Sequence, residues 1–170
     1  LALYAEPRMN ELYLKNQNLS EAYRQTLQEK KSTLHPSETF SGKTEINPQK
    51  YYLDFKERAL RFLNTETQLL KKECLQSDNS HLILLKQTAL VDTLVHAAFA
   101  SALWFFNQQN KQDLDEKTAP LAILARGGYG REEMYFRSDV DIQIVSQASL
   151  EDDKKQWVEE IIGHFEYLFV

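Results

Sequence analysis

The chain has 170 residues, enough for one domain or for one domain with a helical appendage. Hydrophobic residues make up 42% of it, so it can bury a core, which argues against an intrinsically disordered chain. The formal net charge of −5 argues against a protein that binds the phosphate backbone of nucleic acid, since such proteins usually carry a basic face.

Cysteine content and hydropathy indicate the compartment. Cys74 has no second thiol with which to form a disulfide, which fits a reducing cytoplasm. Residues 1–10 contain charge and a proline but lack the apolar core of a signal peptide. The most apolar stretch, 97–106, is much shorter than the roughly 20 residues of a membrane-spanning helix. We therefore expect a cytoplasmic protein without a membrane segment.

Helical spacing of apolar side chains predicts three helices in the first two thirds of the chain. Residues 9–31 and 50–73 show this spacing, and 32–49 is predicted to be a loop because it contains two prolines and a glycine. Residues 81–107 are apolar on nearly every side, so we expect this helix to be central and packed on most of its circumference.

After Pro120 the pattern changes to strands. Residues 121–126 begin with a continuous apolar run, which is typical of a strand buried on both faces. Residues 139–145 alternate between polar and apolar side chains, as a second strand does. Residues 150–170 return to helix, with a predicted buried stripe of Trp157, Ile161, Phe165 and Leu168.

This order of elements predicts an α+β fold with a small mixed sheet and helices packed on one side of it. Residues 1–80 form a helical amino-terminal region in this prediction, and 81–170 form the start of the sheet-containing domain. The chain begins without methionine and ends on an apolar run, so we expect it to be a fragment of a longer protein.

Two acidic residues on the second predicted strand suggest a metal site. Asp139 and Asp141 are two positions apart, so their side chains should leave the same face with Cα atoms about 6–7 Å apart. Carboxylates this close repel one another unless a cation lies between them. Mg²⁺ suits the pair because it binds through one or two carboxylates together with substrate phosphates, and Mn²⁺ is the alternative. We therefore predict that Asp139 and Asp141 are metal ligands and catalytic residues.

The glycine-rich segment before this strand suggests a phosphate site. Gly127 and Gly128 lack Cβ atoms, so the backbone can approach an anion and point amide N–H groups at it. Arg131 is the predicted triphosphate contact, because a guanidinium grips phosphate oxygens in bidentate fashion. Ser138 is predicted to hydrogen-bond a phosphate or to orient Asp139.

The spacing of Gly-Gly, ten residues and then Asp-hydrophobic-Asp-hydrophobic resembles the signature of the DNA polymerase β-like nucleotidyltransferase superfamily. The longer string Gly-Gly-Tyr-Gly-Arg-Glu-Glu-Met-Tyr-Phe-Arg-Ser-Asp-Val-Asp, residues 127–141, is similar to the amino-terminal domain of bacterial PII uridylyltransferase/uridylyl-removing enzymes. It is also similar to a related group of nucleotidyltransferases attached to cyclic-nucleotide-binding or CBS domains. The specific likeness covers residues 121–145.

This resemblance implies transfer of UMP from UTP to a hydroxyl of a protein acceptor such as a PII-type signalling protein, and hence a role in nitrogen regulation. It implies that Gly127, Gly128 and Arg131 cradle the triphosphate while the two aspartates hold metal. It also implies a third carboxylate on a later strand. No such strand is predicted after residue 145, so we expect the fragment to be inactive alone.

Two other functions stay open. One is a nucleotidyltransferase of unknown substrate with cyclic-nucleotide or CBS regulation, and the other is a non-catalytic nucleotide-sensing domain of the same fold. Glu132 favours the second, because it puts negative charge near the phosphates where the family often has glycine. Phe136, where the family often has proline, only alters the turn. Tyr129 either stacks on the nucleotide base or packs over the sheet edge.

Overall fold

The computed structural model describes residues 6–34, 40, 46–147 and 149–169, and most of the predicted loop 32–49 lies outside them. The elements follow the predicted order and are, along the chain, α1 (Glu6–Lys31), a 3₁₀ turn (Ser32–Leu34), α2 (Pro48–Gln76), α3 (Ser80–Asn110), β1 (Leu121–Ala125), a helical turn (Gly127–Gly130), β2 (Ile142–Ser146) and α4 (Asp152–Phe169). We call Gly127–Gly130 the glycine turn.

Helix α3 is the centre of the molecule. Asn79 caps its amino end by accepting a hydrogen bond from the Leu82 N–H at 3.2 Å. Helices α1, α2 and α4 all pack against it, which confirms the central position predicted from its apolar circumference. By length and composition alone α3 could cross a membrane, but 72% of its most apolar stretch is buried inside the protein. Its hydrophobicity is therefore accounted for by the core.

Helix α4 packs against α3 and α2. Ile161, Phe165 and Leu168 of the predicted stripe are buried, whereas Trp157 is half-buried. Val158, the next residue, is buried as well, so the apolar face is rotated slightly from the predicted one. This face packs against α3 and contributes to the same core as β1 and β2.

The sheet confirms the α+β class but differs from the prediction in detail. In the described residues it consists of two antiparallel strands, with Ile123 opposite Ile144. β2 begins at Ile142 instead of at residue 139, so both aspartates precede the strand. The prediction that β1 is buried on both faces was wrong: Leu124 is 44% exposed, because the core covers the face that carries Ile123 and Ile144.

Candidate functional site

The glycine turn reverses the chain directly after β1. Gly127 has a φ of 54°, in the left-handed region that favours glycine. A Cβ atom on Gly130 would lie 2.8 Å from the Ala125 backbone oxygen, so this position also requires glycine. Gly128 differs, since a Cβ there would meet only the Glu133 oxygen at 3.7 Å, an ordinary contact. The backbone conformation therefore explains Gly127 and packing explains Gly130, but neither explains Gly128.

Asp141 lies against the glycine turn. Its backbone carbonyl accepts a hydrogen bond from the Arg126 N–H at 2.8 Å, which continues the pairing of β1 with β2 by one residue. A Cβ atom on Gly127 would lie 2.4 Å from Asp141 Oδ2, so the carboxylate occupies the space that a side chain would need. The fold thus brings together Gly127 and Asp141, two of the residues singled out in the sequence.

Asp139 and Asp141 are both exposed, while Val140 between them is half-buried and packs against the core. This alternation is typical of extended chain, and it leaves both carboxylates accessible to a cation. Among the residues that the structure describes, no group of three or more His, Cys, Asp or Glu side chains is arranged to hold a metal ion. The two aspartates fit a divalent cation only if phosphate oxygens, water or a further side chain complete the coordination.

Arg131 and Ser138 contact other parts of the same loop. Arg131 Nε donates to the Glu133 carboxylate at 2.8 Å, and the two side chains are 65% and 54% exposed. Such an exposed ion pair stabilises the protein little, so a phosphate can displace it. Ser138 Oγ accepts a hydrogen bond from the Tyr135 N–H at 2.9 Å, and the Ser138 N–H donates to the Tyr135 carbonyl at 3.1 Å. Ser138 therefore closes the turn that leads into Asp139.

Tyr129 anchors the glycine turn to helix α3. Its side chain is 5% exposed, and its hydroxyl donates a hydrogen bond to Asp92 Oδ1 at 2.7 Å. Burial, reinforced by the Asp92 charge, raises the pKa of the Tyr129 hydroxyl, so it stays protonated and acts as the donor. Of the two interpretations of Tyr129, the structure shows packing, because a buried ring is not available to stack on a base.

Arg24 of α1 joins this network, which we did not predict from the sequence. Its guanidinium forms ion pairs with Asp92 and, at 2.9 Å, with Glu132 Oε1. Glu132 has a φ of 59°, the conformation that glycine adopts most easily, which fits the glycine that the resemblance led us to expect at this position. The carboxylate that was expected to oppose phosphate binding is therefore paired with an arginine.

Comparison with known proteins confirms the resemblance. Residues 73–167, more than half of the chain, match the family described as "Putative nucleotidyltransferase DUF294". The chain is also 51% identical over 50 residues to the bifunctional uridylyltransferase/uridylyl-removing enzyme of Zymomonas mobilis, a stretch that covers 29% of this chain and 5% of that enzyme. No solved structure shows a significant match. The family match includes α3, both strands, the glycine turn and the two aspartates, so the chain belongs to the DUF294 nucleotidyltransferase family.

Proposed function

We propose that this chain binds a nucleoside triphosphate together with Mg²⁺ or Mn²⁺ and is part of an enzyme that transfers the nucleoside monophosphate to an acceptor hydroxyl. The observation that carries the proposal is the contact between the Asp141 carboxylate and Gly127. It puts a metal-binding group beside the first amides of a helical turn, which lack acceptors within the turn. Cation and phosphate sites would thereby be adjacent.

Each residue has a distinct role in this proposal. Asp139 and Asp141 hold the divalent cation, which would neutralise phosphate charge and polarise the reacting phosphoryl group. Gly127 and Gly128 offer backbone N–H groups to the triphosphate. Packing does not require glycine at residue 128, but the absence of a Cβ there lets a phosphate approach the backbone closely. Arg131 exchanges the Glu133 carboxylate for a phosphate.

The acceptor hydroxyl then attacks the α-phosphorus, and pyrophosphate leaves. Since the described residues provide no third carboxylate beside the aspartates, the base for the acceptor hydroxyl would come from elsewhere in the full enzyme. The chain alone should therefore bind nucleotide without turning it over.

We propose UTP as the donor and a cytoplasmic protein of the PII signalling type as the acceptor, which would place the enzyme in nitrogen regulation. Support for uridylyl transfer comes from the 50-residue stretch that is 51% identical to the Zymomonas mobilis enzyme, a uridylyltransferase by name. The net charge of −5 suits a protein acceptor better than a nucleic acid.

A non-catalytic nucleotide-sensing domain is the second candidate. It is favoured by the lack of a third acidic ligand among the described residues. The two functions differ in the products that the full-length enzyme forms. Release of pyrophosphate from UTP supports transfer, whereas tight binding with no pyrophosphate release supports sensing.

Isothermal titration calorimetry of the chain with UTP and ATP, with and without MgCl₂, tests the proposal. We expect Mg²⁺-dependent binding, tighter for UTP, and a rise in Kd of at least about ten-fold when Asp139→Ala and Asp141→Ala are combined. Asp152→Ala with Asp153→Ala is the matched control, since it removes the same charge from two exposed residues at the start of α4. Equal binding by the Asp139/Asp141 variant and the wild type would exclude a nucleotide bridged by metal.

A further inference from the structure

Arg24 lies outside residues 73–167, the part of the chain that matches the nucleotidyltransferase family, yet it contacts the candidate site. Its guanidinium bridges two carboxylates from different parts of the chain, Asp92 on α3 and Glu132, the second residue after the glycine turn. The side chains of Arg24 and Asp92 are each 28% exposed. An ion pair therefore links helix α1 to the segment around the glycine turn, which binds the triphosphate in the proposed function.

Glu132 belongs structurally to the glycine turn. Its N–H donates to the Tyr129 carbonyl at 3.1 Å, and the N–H of the next residue donates to the Gly128 carbonyl at 2.9 Å. The Glu132 side chain is 45% exposed, so without a partner it is free to rotate in solvent. A mobile negative charge at this position would repel a triphosphate approaching the turn.

The turn also has an attachment that does not involve Glu132. Tyr129 is buried and donates to Asp92 on α3, so the backbone of the turn stays anchored when the Arg24–Glu132 pair is broken. Loss of Arg24 also removes the ion pair to Asp92, so Glu132→Gln, which leaves that pair and the Tyr129 bond in place, changes the charge near the turn with the least effect on the backbone. This separation allows electrostatic and structural roles to be distinguished.

We propose that Arg24 is a positioning residue for nucleotide binding, which holds the Glu132 carboxylate away from the triphosphate and supplies the compensating positive charge. The inference rests on the proposed function. It assigns to α1 a role in ligand binding, and it explains how this chain tolerates an acidic residue in a phosphate-binding turn.

Calorimetry with Mg-UTP on three variants tests the proposal. Arg24→Met should raise Kd about ten-fold, because Glu132 is then unpaired, and Arg24→Met with Glu132→Gln should return Kd to within about two-fold of the wild type. Glu132→Gln alone should bind about two-fold more tightly than the wild type, and this variant does not depend on whether Arg24→Met folds. A merely structural Arg24 would give no recovery of affinity in the double variant, since the double variant lacks the same interhelical contact.

Lys30 and Glu66 provide the matched control. Lys30 Nζ lies 2.6 Å from Glu66 Oε1 and joins the same helix α1 to α2, whereas Arg24 joins it to α3 and to Glu132. Lys30→Met combined with Glu66→Gln should therefore lower thermal stability but leave Kd within about two-fold of the wild type.

The two proposals fail in different ways. Absence of Mg-UTP binding by the wild-type chain would refute the proposed function. If Arg24→Met binds Mg-UTP as tightly as the wild type, only the proposed role of Arg24 is refuted. The same holds if the added Glu132→Gln substitution does not restore the affinity of Arg24→Met.

Discussion

The Asp141 carboxylate occupies the space beside Gly127 that any larger residue at that position would fill. The residue immediately before β2 thus lies beside the second residue after β1. The backbone hydrogen bond from the Arg126 N–H to the Asp141 carbonyl fixes their relative position. The φ of 54° favours glycine, and a side chain at this position would also displace the carboxylate.

Gly127→Ala should therefore lower both stability and nucleotide affinity. A Cβ atom at this position would lie 2.4 Å from Asp141 Oδ2, so the carboxylate must rotate away. The left-handed backbone adds a cost of about 1–2 kcal/mol for a residue with a Cβ. Urea denaturation measures the loss of stability, and calorimetry with Mg-UTP measures the loss of affinity.

Gly128→Ala is the control for this substitution. Its Cβ would make only an ordinary contact at 3.7 Å with the Glu133 oxygen, so stability should change by less than about 0.5 kcal/mol. Equal stability of the two alanine variants would contradict the steric argument for Gly127. A loss of Mg-UTP affinity in a fully stable Gly128→Ala protein would support close approach of phosphate to this residue.

Substitution of Glu132 by alanine and by glycine separates backbone strain from charge. Both variants lose the ion pair with Arg24, so the difference between them reports the φ of 59°. We expect Glu132→Gly to be more stable than Glu132→Ala by about 1 kcal/mol, after allowance for the greater entropy of unfolded glycine. Chemical denaturation of both proteins measures the difference, and an alanine variant of equal or higher stability would show that this backbone is unstrained.

Tyr129→Phe should destabilise the protein by about 1–2 kcal/mol, because Asp92 loses a buried hydrogen-bond donor while the ring still packs. The hydroxyl lies 2.7 Å from Asp92 Oδ1. Tyr135→Phe serves as the control, since Tyr135 is 66% exposed and in the same loop. Identical unfolding midpoints for the two phenylalanine variants would show that the bond from Tyr129 to Asp92 does not hold the turn on α3.

The elements that could be predicted from the sequence are those that their own residues determine. Helix α3 is apolar around its circumference, and the glycine turn follows from the glycines themselves. The start of β2 was predicted too early because the alternation of side chains continues through Asp139, whereas β1 ends at Ala125 and pairs there with Ile142.

The ion pairs of Arg24 had no local signal. Arg24 and Glu132 are 108 positions apart, and either residue alone is typical of a solvated surface. The partial exposure of β1 could not be predicted from its residues either, because a continuous apolar run does not show how many faces of the strand are covered.

His164 should make stability depend on pH. His164 lies on α4 with its side chain 13% exposed, and its Nδ1 lies 2.6 Å from the hydroxyl of Tyr52 on α2. Burial lowers the pKa of His164 below the ordinary 6.5, although Glu160 opposes the shift. Below pH 6.5 the unfolded chain therefore binds more protons than the folded protein. The stability due to neutral His164 is fully present above that pH and is lost as the pH falls through the folded pKa.

His164→Gln should accordingly flatten the fall in the free energy of unfolding between about pH 7 and pH 5, because glutamine does not titrate there. Urea denaturation at several pH values measures the slope for the wild type and the variant. His96→Gln is the control, since it makes the same substitution at a histidine whose side chain is 55% exposed. Parallel curves for the wild type and His164→Gln would contradict the argument, because the proton taken up on unfolding would then bind to another group.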